Sequence, residues 1–118
     1  MAVRLHNLTF DATDPPALAA FWASVLGRPV SEGANQFFAT IERTDTAPAL
    51  LFIRVPEPKT AKNRMHVDLD CDDLPAQRRR LAELGAVFIH EKDEFGLHWM
   101  TFQDPEGNDC VATHGSSC

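Results

Sequence analysis

The 118-residue chain carries 11 Lys and Arg against 17 Asp and Glu, a formal net charge of −6, with 44 % hydrophobic and 24 % charged residues. That is a globular balance with room for one domain of ordinary size. The acidic excess argues against nucleic acid or an anionic membrane as a partner, because both attract a basic field. Lys59, Lys62 and Arg64, and the run Arg78-Arg79-Arg80, read as solvated loop and helix faces. Cys71, Cys110 and Cys118 are odd in number and lack metal-type spacing, as in a reduced cytosolic protein. Arg4, Asp11 and Asp14 interrupt any signal-peptide pattern, and the apolar run from Ala17 to Leu26 is too short to span a bilayer. A cytoplasmic location is expected.

Val3 to Asp11 alternates as a strand, with Leu8 and Phe10 on one face and Asn7, Thr9 and Asp11 on the other. Thr13-Asp14-Pro15-Pro16 starts a helix: Asp14 can cap free N–H groups, and proline is tolerated in a first turn. Leu18, Phe21, Trp22 and Val25 fall at helical spacing, and Gly27 is the stop. Gln36 to Ile41 and Ala49 to Val55 are strands, with Asp45 and Pro48 in the turn between them.

After the proline-punctuated loop Val55-Pro56-Glu57-Pro58-Lys59, the pattern repeats. Arg64 to Cys71 reads as a strand, with Met65, Val67, Leu69 and Cys71 toward the core and Arg64, His66, Asp68 and Asp70 away from it. Asp72-Asp73-Leu74-Pro75 is a second capped helix start; Leu74, Leu81 and Leu84 form its stripe and Gly85 ends it. Ala86 to His90 and Leu97 to Gln103 are strands, Asp104-Pro105-Glu106-Gly107-Asn108 is a tight turn, and Asp109 to Thr113 is the last strand. Asn7 aligns on His66 and Asp14 on Asp73, so about half the chain is an internal repeat. The plan is α+β: two βαβββ modules whose curved mixed sheet surrounds a concave cleft, helices outside. Residues 1–118 form one domain, with module one at about 1–56, a linker at about 57–63 and module two at about 64–114.

Leu5-His6-Asn7-Leu8-Thr9-Phe10, with Asp14 and Phe21-Trp22 through Leu26-Gly27, resembles the opening of the vicinal oxygen chelate superfamily. Asp104-Pro105-Glu106-Gly107-Asn108 resembles its closing hairpin. The middle stretches, Val55 to Lys59 and Lys62 to Leu69, resemble its actinobacterial glyoxalase-like branch. The resemblance implies a divalent metal in catalytic members, held by a His on the first strand, a His opening the second module and a Glu after the final turn. Those positions are Asn7, His66 and Val111 here. The strand from Leu50 to Val55 supplies no further acid, and His6 lies one residue from the ligand position, on the opposite face. Asp109 shares the alternation face of Val111 and is the best replacement. With one family ligand of three present, no metal and no cofactor are expected.

Alternation lines the cleft with Asn7, Thr9, Arg64, His66, Asp68, Trp99, Thr101 and Val111. This is an aromatic platform with a few converging polar groups. His66 beside Asp68 has the makings of a general acid or base; its bland reading is a family relic hydrogen-bonded to its neighbours. Trp22, on the helix stripe, reads as core, and His90, His98 and His114 as surface or rim. Three functions fit: a metal-free small-molecule binder like the drug-sequestering resistance proteins of the superfamily; a lyase or isomerase using His66 or a residual metal site; and a structural or regulatory module. A homodimer is expected, because the short sheets leave edges.

Overall fold

The architecture is that of a computed structural model describing residues 4–94 and 97–114. It is α+β, with two helices and two mixed sheets, and it divides into two compact units, Met1–Pro58 and Lys59–Cys118.

The first unit runs β1 (Asn7–Ala12), α1 (Pro15–Leu26), β2 (Phe38–Ile41) and β3 (Ala49–Arg54). Its three-stranded sheet has the order β1-β3-β2, with β1 parallel and β2 antiparallel to the central β3. β1 begins at Asn7, later than the alternation implied. A fourth strand is reduced to a single bridge, Val30 to Ile41. Pro29 next to it has no N–H to donate. The chain then turns at Asn35, whose Oδ1 accepts from the backbone of Phe37 at 2.8 Å and Phe38 at 3.2 Å.

Helix α1 starts where Asp14 accepts from the Ala17 N–H at 3.2 Å and stops at Gly27, whose φ of 67° is left-handed. Leu18, Ala19, Phe21 and Trp22 are buried against the sheet. Trp22 meets Phe21 edge-on at 5.3 Å and Phe10 at 6.1 Å, and Phe10 stacks on Phe52 at 5.1 Å. These contacts join helix, β1 and β3 through ring pairs of favourable geometry. Arg28 follows the cap and donates to the carbonyls of Glu42 and Pro48, fastening the β2–β3 loop.

The second unit runs β4 (Val67–Cys71), α2 (Leu74–Leu84), β5 (Val87–Glu94), β6 (Leu97–Gln103) and β7 (Asp109–His114). Its four-stranded sheet has the order β4-β7-β6-β5, with β4 parallel to β7 and the other pairs antiparallel. The capping chemistry is that of the first unit: Asp73 accepts from Ala76 N–H at 3.0 Å, and Gly85 closes the helix at φ 111°. Leu74, Leu81, Met100, Phe102, Cys110 and Ala112 form the core. Cys71 is buried as expected, whereas Cys118 lies outside the described residues.

Two expectations for this unit are corrected. β4 begins at Val67, so Arg64 and Met65 lie outside the strand, and Met65, read as core, is 65 % exposed. β5 extends to Glu94, four residues past the expected end at His90, with a bulge at Ile89 between the pairs Phe88–Phe102 and His90–Thr101. Among the described residues no helix is long and apolar enough to cross a membrane.

Candidate functional site

Register sorts the second sheet into two faces. Val67, Leu69, Cys110, Ala112, Met100 and Phe102 are matched across β4, β7 and β6; the last four are buried and Val67 and Leu69 half-buried, which marks this as the face toward α2. The opposite face carries two rows. Asp68 pairs with Val111, Val111 with Thr101, and Thr101 with His90. Asp70 pairs with Thr113, Thr113 with Trp99, and Trp99 with Lys92. Neighbouring strands lie about 4.8 Å apart, so each row spans roughly 14 Å.

Of the residues singled out from the sequence, Asp68, Trp99, Thr101 and Val111 therefore share one face. His66 precedes β4, and its Nδ1 contacts Asp68 Oδ1 at 2.8 Å. Arg64 is exposed and outside the ladder, so strand alternation does not place it on that face. Asn7 and Thr9 share a face of β1 in the first unit, where the Asn7 amide donates to Thr9 Oγ1 at 3.0 Å. His6 is exposed and precedes β1.

The sequence reading missed Lys92 as a member of the outer face, because β5 was ended at His90; His90, read as surface or rim, is turned to that face by the bulge at Ile89. It also missed Asn63. Asn63 Oδ1 accepts from Asp109 N–H at 3.0 Å, and its amide donates to the Asp109 carbonyl at 3.4 Å and to the Met65 carbonyl. One side chain thus takes the ladder bonds that a strand residue before Val67 would have made.

Asp109 is held from two sides, by Lys62 Nζ at 2.9 Å and Gln103 Nε2 at 3.0 Å. The Lys62 hydrogen bond, then that of Gln103, hold its carboxyl below the ordinary carboxylate range. The closing turn is built on Asp104, which is 1 % exposed. Asp104 accepts from the backbone of Glu106 and Asn108, both at 3.0 Å, and from the Asn108 amide at 2.9 Å. Burial first, then the Asp104 and Asp109 charges, push the Cys110 thiol far up; burial, then Asp70 and Asp72, raise Cys71. Both stay protonated at neutral pH, which removes them as nucleophiles.

The glyoxalase-like domain model matches residues 7–112. The chain belongs to the glyoxalase-like domain family. Solved structures agree on the fold. A glyoxalase/bleomycin resistance protein/dioxygenase family enzyme from Burkholderia phytofirmans PsJN superposes at TM-score 0.76 with 16 % identity, covering 95 % of this chain and 98 % of that one. A lactoylglutathione lyase from Agrobacterium tumefaciens superposes at 0.67 with 19 % identity, covering 97 % and 95 %. A bleomycin-binding protein from Streptomyces verticillus, complexed with copper(II)-bleomycin, superposes at 0.64 with 22 % identity, covering 98 % and 100 %. The fold is that of the vicinal oxygen chelate superfamily. No curated protein matches the chain in sequence.

The donor set of this glyoxalase-like domain does not fit the metal of catalytic relatives. Of the three ligand positions, Val111 is hydrocarbon and the Asn7 amide is bonded to Thr9, whereas His66, bonded through Nδ1 to Asp68, keeps Nε2 as a donor atom. Asp109, the replacement, is committed to Lys62 and Gln103. Among the described residues no group of three His, Cys, Asp or Glu side chains is placed to hold a metal ion.

Proposed function

We propose that this glyoxalase-like domain binds a small amphipathic molecule on the outer sheet face of its second unit, without a metal. The reading follows the bleomycin-binding relative rather than the lyase. The observation that carries it is the shared face of Trp99, Thr101, Val111 and Asp68. Trp99 offers area, Thr101 a hydroxyl, and the acids of β4 and the Lys92 and His90 side chains of β5 bracket them. In this reading the chain belongs to the actinobacterial branch and works in the cytoplasm as a homodimer. A monomer mass by light scattering at tens of micromolar (a rough working scale) counts against the dimer.

A second reading, an acid–base enzyme, draws on the His66–Asp68 contact. Asp68 orients the ring through Nδ1, which points Nε2 at a substrate. One experiment separates the two. A thermal-shift screen finds a ligand, and metal analysis accompanies it. Trp99→Ala is expected to weaken that ligand about tenfold or more, as loss of an aromatic anchor does. His66→Ala is expected to change affinity less, and it abolishes turnover only if His66 is the acid or base. A stoichiometric divalent ion lost in His66→Ala, or affinity unchanged in both variants with the fold intact, overturns the proposal.

A further inference from the structure

A groove of about 450 Å³ opens on the other side of the second sheet, along α2 from Leu74 to Ala82. Its origin is legible in the repeat. Aligning Asp73 on Asp14 puts Gln77, Arg78 and Arg80 where α1 sets Leu18, Ala19 and Phe21 against its sheet. The second helix therefore buries only Leu74 and Leu81, and the groove runs along its flank, between exposed Pro75, Arg78, Arg79 and Ala82, with buried Leu74 and Met100 at its base. Leu74, Pro75 and Ala82 add apolar walls.

The charges around the groove are unequally matched. Arg78 Nη1 lies 3.4 Å from Glu91 Oε1, and its guanidinium stacks 3.7 Å from the centre of the Phe88 ring. The other Glu91 oxygen is bonded to His98 Nε2, and His98 Nδ1 lies 3.8 Å from Asp93. Glu91, the acid of the lining, thus has two cationic or donor partners. Arg79, also in the lining, makes no ion pair with any described residue. An apolar base with a guanidinium at its mouth that has no ion pair among the described residues is complementary to a hydrocarbon tail carrying one negative charge.

We propose that this groove is a second ligand site, which takes a small monoanionic amphipath, a carboxylate on a short hydrocarbon chain. The tail lies over Met100, Leu74 and Ala82, and the carboxylate meets Arg79. The volume lies within the range of small-molecule sites. The site uses none of the residues of the outer sheet face, so it stands or falls independently of the function proposed above.

The probe is sodium octanoate, read by the methyl resonance of Met100 in protein labelled at methionine methyls. The expected result is a saturable shift at Met100 and none at Met65, which is not part of the groove lining and is 65 % exposed. Arg79→Glu is expected to raise the apparent Kd about tenfold, the scale of one charge-assisted contact. Ala82→Trp, at an exposed helix position, is expected to fill the groove and abolish the shift. Octanol, with the same tail and no charge, is expected to bind about tenfold more weakly than octanoate. No saturable shift at Met100, or a shift that survives Ala82→Trp with the fold intact, overturns the site. Equal affinities for octanoate and octanol, or no effect of Arg79→Glu, overturn the anionic ligand class.

Discussion

Helix α1 buries Pro15, Leu18, Ala19, Phe21 and Trp22, whereas α2, with the same Asp cap and the same left-handed Gly stop, buries only Leu74 and Leu81. The first helix is held by a ring cluster, and the second by two leucines and a rim of charged contacts. Short-range chemistry fixes where each helix starts and ends; the size of the side chains on the inner face decides how firmly it is held. The same difference leaves the groove under α2 that the ring cluster fills under α1.

The comparison has a direct energetic test. Trp22→Ala removes the largest buried side chain of the first unit and is expected to cost about 4 kcal/mol in denaturant unfolding. Leu81→Ala, at the aligned position of α2, is expected to cost about 2.5 kcal/mol. Equal costs would show that α2 is packed as tightly as α1 and that the groove has another origin.

A smaller effect separates charge from packing in the second unit. Asp109 has a lowered pKa in the folded chain, so its ionised form stabilises the fold. That contribution is fully present above the ordinary Asp pKa of about 3.9 and is lost as pH falls through the lower folded value. Asp109→Asn is therefore expected to cost about 1 kcal/mol at pH 7, with the gap to the parent closing in acid. Urea midpoints at the two pH values check this; a gap independent of pH would assign the loss to shape instead of charge. The least effect is expected at Arg78, where the exposed ion pair and ring contact together are worth about 1 kcal/mol or less. A larger loss in Arg78→Ala would mean that the charged rim holds α2 as firmly as its leucines do.

What the sequence disclosed divides along the same line. Both caps, both stops and the alternation of β1, β6 and β7 were legible, because each rests on residues within a few positions of one another. The end of β5 was not. Glu91-Lys92-Asp93-Glu94 belongs to a strand at the sheet edge, where one side of the ladder is open and charged side chains are tolerated on both faces, so no apolar period marks it. The start of β4 was misread for a different reason. Arg64 and Met65 continue the alternation, but the amide of Asn63 already occupies the backbone of Asp109, 46 positions away in sequence. A side chain substituting for a backbone rung leaves no periodic trace. The candidate face was legible in four of its members through alternation; Lys92 was lost with the end of β5, and His90 because the bulge at Ile89 breaks the alternation before it.

The bulge at Ile89 bears on how this chain behaves in a crowded solution. β5 is an edge strand, and Val87, Phe88 and Ile89 are exposed at 54 %, 36 % and 44 %. Three consecutive exposed apolar residues on an open ladder are a template for strand addition and precipitation. The extra residue breaks the spacing of the free N–H and C=O groups within that triplet, so an extended neighbour cannot stay in step across it. The charged run that follows repels or mismatches whatever pairs farther along. The irregularity that aims His90 at the outer face thus also guards the apolar end of the strand against aggregation.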